Sequence, residues 1–237
     1  MPNFWYIYQM VKISDEKYLR AIYQVSNSDG ADKVSLSELA YYLDLKPPTV
    51  LERIKVLQKE KWITYKKEHG IKLTKAGEKE ALNVVRKHRI WETFLHKVCK
   101  FSWSEVHELA EQLQNVNSEI LIDRIYNLSG NPKFDPHGDP IPDKSGKLPV
   151  SERRLLLNSV DGCKCIVLGV NEDSHEFLNY LTDLKIGLNE KLTVEKVFVF
   201  DGSLKIKYKN NESVILSPKV AEKIQVTCIK PGCRCKN

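Results

Sequence analysis

What the chain lacks narrows its possibilities first. No run of apolar residues approaches the roughly 18 consecutive positions that a membrane-spanning helix needs, so no membrane partner is expected. There is no glycine loop of the kind that cradles phosphates, no His-Glu-x-x-His helix and no nucleophile–base pair. Hydrolytic and phosphoryl-transfer chemistry rests on those arrangements, so an enzyme is not expected. The first ten residues, MPNFWYIYQM, are aromatic but carry neither a basic leader nor a small-residue cleavage site. They do not read as an export signal, and Met10 offers an alternative start. A cytoplasmic protein with reduced thiols at its six cysteines is therefore expected. Internal repeats and low-complexity tracts are also missing.

What is present is enough for globular cores: 237 residues, 42% of them hydrophobic, a length that suits two or three small domains. The organising stretch is 35–73, SLSELAYYLDLKPPTVLERIKVLQKEKWITYKKEHGIKL. Ser35 with Glu38 makes a capping box. Leu36, Leu39, Ala40 and Leu43 recur at helical spacing. Pro47-Pro48 stops that helix and opens the next, because proline is tolerated in a first turn. Val50, Ile54 and Leu57 form the buried stripe of the second helix. Residues 62–65 and 71–74 then alternate in period two around His69-Gly70, a hairpin signal. Helix, turn, helix and hairpin are the parts of a winged helix-turn-helix, which places one helix in a DNA major groove.

Charge supports that reading. Between Lys46 and Lys79 there are ten Lys or Arg against four Asp or Glu, while the whole chain carries a net +6. The rest of the chain therefore balances to zero, and the basic surplus sits on the face that would meet phosphates. Lys46, Pro48 and Thr49 are placed to approach base edges, and Ser37, Arg53, Lys55, Lys66 and Lys67 to position phosphates.

Around this module the chain reads as follows. A helix over 15–25 precedes it, and one long helix follows over 75–99. Shorter helices over 102–113 and 118–127 suggest a dimer interface, which fits a reader of paired half-sites. Residues 131–147 hold four of the ten prolines and form a loop and linker. From Cys163 the period becomes two, and short strands with one helix over 174–184 imply a small SH3-like β-barrel. The expected class is mostly α with a small β domain. The expected domains are 11–77 (winged helix), 78–147 (helical, metal-binding and dimerising), 151–230 (SH3-like) and 231–237 (a cysteine-bearing tail).

His88 and Glu92 are four residues apart, so they share a face of the long helix. His107 lies on the next helix, with Glu111 one turn further. Imidazole and carboxylate from two packed helices suit Fe(II), Mn(II), Co(II) or Zn(II). Cys163 and Cys165 form a C-x-C on a strand, and Cys228, Cys233 and Cys235 lie on a tail. Four thiolates from these would hold Zn(II) or an iron–sulfur cluster; packed strand thiols and a reduced tail are the simpler reading.

The stretches EKYLRAIY, KPPTV, KHRIWETFL, SEVHELAEQL, NPKFDPHGDPIP and SHEFLNYL resemble, in order and spacing, the metal-dependent repressors of the diphtheria toxin repressor class. The resemblance covers nearly the whole chain. It implies a homodimer that binds a palindromic double-stranded operator when loaded with Fe(II) or Mn(II) and controls iron or manganese homeostasis genes. It also implies an ancillary-type site of His88, Glu92, His107, Asp173 and Glu176. The family's primary site corresponds to Lys17, Glu111, Gln114 and Asn115, of which only Glu111 is a strong ligand. That departure supports an alternative: a regulator of the same fold that is metal-independent or gated through the ancillary site alone, with Lys17 pairing Glu111 in place of a metal. A shift of the primary ligands to Glu16 or Glu108 is the rival to that pairing.

Overall fold

The computed structural model describes residues 4–28, 33–172, 174–209 and 212–229; the side chains of residues 4–14 and of Ser28 lie outside that description. Two compact units divide the chain. The first comprises Met1–His88, Glu111–Ile122 and Ile141–Leu148, the second Arg89–Ala110, Asp123–Pro140 and Pro149–Asn237.

The first unit opens with α1 (Phe4–Ser28), which begins well before the expected residue 15. Then come α2 (Leu36–Tyr42) and α3 (Pro47–Lys59). The capping box forms: the Glu38 amide donates to Ser35 Oγ at 3.1 Å, and the Ser35 amide donates to Glu38 Oε2 at 2.7 Å. These hydrogen bonds hold the Glu38 carboxyl below the usual carboxylate range. Strands β1 (Ile63–Lys66) and β2 (Gly70–Leu73) pair antiparallel, with Ile63 opposite Leu73 and Lys66 opposite Gly70. Val34 joins this wing through two backbone bonds to Ile71, of 3.0 and 2.8 Å. Leu19, Ile22, Leu39, Val50, Ile54, Leu57, Ile63 and Ile71 pack as one core beneath.

Helix α4 (Lys75–Lys97) follows. Its Gly77 is not a flaw in the helix. A Cβ there would lie 1.9 Å from the Trp62 carbonyl oxygen, so only glycine lets α4 start against the end of the wing. Thr74 Oγ1 accepts from the Gly77 amide at 3.1 Å and caps that start. Helix α5 (Val106–Leu113) is shorter than 102–113. The Ser102 amide and hydroxyl both donate to Glu105 Oε2, at 2.8 and 2.6 Å, and fix a turn ahead of it. Helix α6 (Glu119–Leu128) follows.

The second unit contains a six-stranded antiparallel sheet: β3 (Arg154–Leu155), β4 (Lys164–Val170), β5 (Lys191–Val197), β6 (Leu204–Tyr208), β7 (Glu212–Leu216) and β8 (Ile224–Cys228). Their order is β3-β8-β4-β5-β6-β7. Among the described residues β3 and β7 are edges and do not pair, so the SH3-like unit is an open sheet and not the closed barrel expected. Helix α7 (His175–Asp183) buries Leu178 and Leu181 in the core beneath the sheet, and α8 (Pro218–Ala221) is a single turn. Strand β8 was not expected. It inserts between β3 and β4 and sets Cys228 opposite Cys165. Cys228 is thus a strand residue and not part of a tail; Cys233 and Cys235 lie outside the described residues.

Gly77→Ala should test the contact at the start of α4. Alanine raises helix propensity by about 1 kcal/mol, but backbone overpacking costs about 1–3 kcal/mol. The expected result is a net loss of stability in thermal denaturation; a gain would mean the wing end yields freely.

Candidate metal centre and nucleic-acid face

Buried donors gather on α4 and what surrounds it. His88 and Glu92, 3% and 2% exposed, stand one turn apart on the helix. His107, in the first turns of α5, brings Nδ1 to 3.2 Å from Glu92 Oε1. One ligating atom from each of His88, Glu92 and His107 lies within 4.8 Å of the others. Two imidazoles and a carboxylate at that spacing are a good donor set for a divalent first-row ion. A carboxylate buried this deeply is stabilised by positive charge beside it. The residues therefore fit a metal.

A second set meets the same carboxylate. Glu92, Asp135 and His137 are all buried and also lie within 4.8 Å of one another. Asp135 and His137 come from the Pro- and Gly-rich loop, whose shape is set locally. Asp135 Oδ1 accepts from the amides of His137 and Asp139, each at 2.9 Å. The Arg89 guanidinium lies 3.5 Å from Asp135 Oδ2, donates to Asp139 Oδ2 at 2.9 Å and to the Pro140 carbonyl at 2.6 Å. Burial pushes the Asp135 carboxyl up to about 8, with the Asp139 and Glu92 charges adding and His137 and Arg89 opposing.

Strand β4 pins this loop. The Val170 amide donates to the His137 carbonyl at 2.9 Å. A Cβ on Gly138, at φ +90°, would come within 2.0 Å of the Leu168 carbonyl oxygen. Arg153 donates to the Gly138 carbonyl and to Gln225 of β8. The stretch NPKFDPHGDPIP carries no ligand assignment from sequence alone. The signal was the D-x-H spacing, which is too short to mean much before the loop's path is known.

The remaining expected metal residues lie elsewhere. Asp173 is outside the described residues, and Glu176 is exposed on the first turn of α7, in neither cluster. In the first unit, Lys17 Nζ sits 3.0 Å from Glu111 Oε1, and Arg20 Nη2 3.7 Å from the same oxygen. Lys87 Nζ lies 3.3 Å from Glu16 Oε2, both almost fully buried. Gln114 is buried, Asn115 donates to the Glu111 carbonyl at 3.3 Å, and Glu108 is exposed. These residues do not fit a metal. Arg20 is 5% exposed, so it lies close against this site, and like charges about 4 Å apart cost roughly 4 kcal/mol per unit pair at an effective dielectric of 20.

The basic face is open. Ser37, Lys46, Pro48, Thr49, Lys55, Lys66 and Lys67 are all exposed on α2, α3 and the wing. Lys46 is the N-cap of α3, so the helix starts at the surface beside it. Arg53 differs. It is turned toward an ion pair with Asp15 of α1 and is 17% exposed.

Three family models match: an iron dependent repressor N-terminal DNA-binding domain over residues 10–71, an iron dependent repressor metal-binding and dimerisation domain over 74–143, and a FeoA domain over 156–228. The Iron-dependent repressor IdeR of Mycobacterium tuberculosis is 32% identical over 127 residues, which is 54% of each chain. The match thus spans about half the length of that relative. The Mycobacterium leprae IdeR is 27% identical over 223 residues, 89% of this chain and 95% of the relative. Among solved structures, a manganese-dependent transcriptional repressor in complex with manganese superposes with a TM-score of 0.81 at 31% identity, covering 90% of this chain and 99% of that one.

Arg89→Met should leave Asp135 buried without its guanidinium. Breaking a buried pair by removing one partner costs about 3–5 kcal/mol, so chemical denaturation should show a loss of that order. A change below 1 kcal/mol would mean the loop does not depend on Arg89.

Proposed function

The chain belongs to the iron-dependent repressor family, and from that premise we propose that it is a metal-responsive transcriptional repressor. It binds a palindromic operator as a homodimer in the cytoplasm and controls iron or manganese homeostasis genes. Fe(II) or Mn(II) is the effector; Zn(II) and Co(II) would bind the same donors in vitro. It acts as a regulator and not as a catalyst. The observation that carries the reading is the buried His88, Glu92 and His107 group in a chain that also has an exposed basic winged helix.

One observation favours a narrower version. Lys17 and Arg20 occupy the Glu111 oxygen, so metal gating would pass through the Glu92 region alone. The Lys17–Glu111 pair is half exposed, and exposed pairs contribute about 0–1 kcal/mol. Its role is therefore to exclude a cation more than to clamp. Of the two versions, metal-independent binding requires that the clusters at Glu92 have no effect on operator affinity.

Fluorescence anisotropy on an operator fragment obtained by binding-site selection, at fixed salt, separates these outcomes. Addition of Mn(II) to chelator-treated protein should tighten binding, and His107→Ala should abolish the gain. Equal binding in chelator would overturn metal gating. In the same assay Lys66→Ala and Lys67→Ala should each lower the salt slope by about 0.9. Arg53→Ala should lower it less, because its charge is spent on Asp15.

A further inference from the structure

We propose that Cys163, Cys228, Cys233 and Cys235 form a four-thiolate site for Zn(II), separate from the donors around Glu92 and independent of the regulatory reading.

The sheet supplies half of the site. Cys163 and Cys228 are 65 residues apart in the chain, yet their Sγ atoms lie 3.7 Å from each other. Zinc–thiolate bonds are about 2.3 Å, so two sulfurs on one tetrahedral ion stand about 3.8 Å apart. A disulfide needs its sulfurs at about 2.05 Å. The pair therefore already has the separation that a shared ion requires.

Backbone bonds hold that spacing. The Cys163 amide donates to the Val160 carbonyl at 3.0 Å, and the Val194 amide donates to the Cys163 carbonyl at 2.8 Å. Cys228 ends β8 and stands opposite Cys165 of β4. The Ile229 amide donates to the Lys164 carbonyl at 2.9 Å, which carries the chain out of β8 alongside the Cys-x-Cys segment. Cys163 is buried and Cys228 half-buried, so the pair reaches the surface at Cys228. Cys165 does not complete the set. Among the described residues the three strand cysteines form no three-donor group within 4.8 Å, and Cys165 packs in the sheet core.

The sequence supplies the other half. Cys233 and Cys235 follow Cys228 in CIKPGCRC. Pro231-Gly232 is a turn signal directly ahead of them, and the five residues from Cys228 to Cys233 span at most about 18 Å. A return to Cys228 needs only a reversal of the chain.

Charge points the same way. Zn(II) with four thiolates carries a net negative charge. Lys230, Arg234 and Lys236 flank the last two cysteines, Lys164 lies between Cys163 and Cys165, and no acidic residue occurs from Cys228 onward. Cations beside a thiol lower its pKa and favour the thiolate that binds metal. Thiolates select zinc and softer ions, whereas imidazole and carboxylate together suit iron and manganese, so the two centres take different ions. Four thiolates leave no open position, which makes the ion a fastening for the chain end against β4 and β8. The competing role for strand cysteines is to fill the core as small apolar groups. That accounts for Cys165, but gives no reason for two more cysteines at the basic end of the chain.

The test uses the full chain, reduced, stripped with chelator, reloaded with Zn(II) and desalted, then examined by metal analysis and zinc-edge X-ray absorption. The spectrum should contain a sulfur shell at about 2.3 Å, distinct from nitrogen or oxygen donors at about 2.0–2.2 Å. The double variant Cys233→Ser, Cys235→Ser should lose one zinc per chain and the sulfur shell with it. Cys99→Ser and His107→Ala should both keep the shell. A wild-type spectrum with nitrogen and oxygen donors alone would overturn the site, as would a sulfur shell that the double variant leaves unchanged. The wild-type spectrum decides even if a variant misfolds. Metal-independent operator binding with the sulfur shell intact would overturn the regulatory reading and leave this site standing.

Discussion

A single carboxylate, Glu92, sits in the C-terminal half of a long helix with 2% of its surface exposed. An anion in that position is tolerated only with cations or strong donors around it. Much of the surrounding structure provides them. α4 carries Glu92 without a helix breaker after Gly77. The turn at 102–105 sets the start of α5 and so the approach of His107. Strand β4 holds the 131–142 loop by its backbone, which aims His137 at the same oxygen. The sheet thus contributes to the site by fixing a loop.

Glu111 offers the contrast. It too is an acidic residue on α5, but its neighbours are Lys17 and Arg20. Nearby Glu16 is matched by Lys87. Here charge is balanced by side chains of the protein, and no external ion is needed. The two regions apply the same electrostatic requirement with opposite solutions.

Elements with strong local signals were legible in the sequence. The capping box at Ser35, the Pro47-Pro48 helix start and the alternation of the wing all fix backbone geometry within a few residues. His88 and Glu92 could be paired because helical spacing alone puts them on one face. Pairing of Lys17 with Glu111 followed from their opposite charges at matching family positions. Asp135 and His137 could not be seen in advance, because their convergence depends on a loop path set by contacts with β4 and Trp103, far away in the chain. β8 was missed for a related reason: its five residues, IQVTC, sit next to a cysteine-rich end, and only its pairing with β3 and β4 marks it as a strand. The length of α5 was overestimated because Ser102 and Glu105 carry a helix-start pattern that here closes a turn.

Crystals of the full chain soaked in Mn(II), with anomalous data collected at the manganese edge, give the most direct test of where metal acts. Density against the Glu92 carboxylate, with none at Glu111, is the predicted result. A manganese peak on Glu111 with Lys17 displaced would contradict the account, because the cations of the first unit would then have failed to exclude the ion.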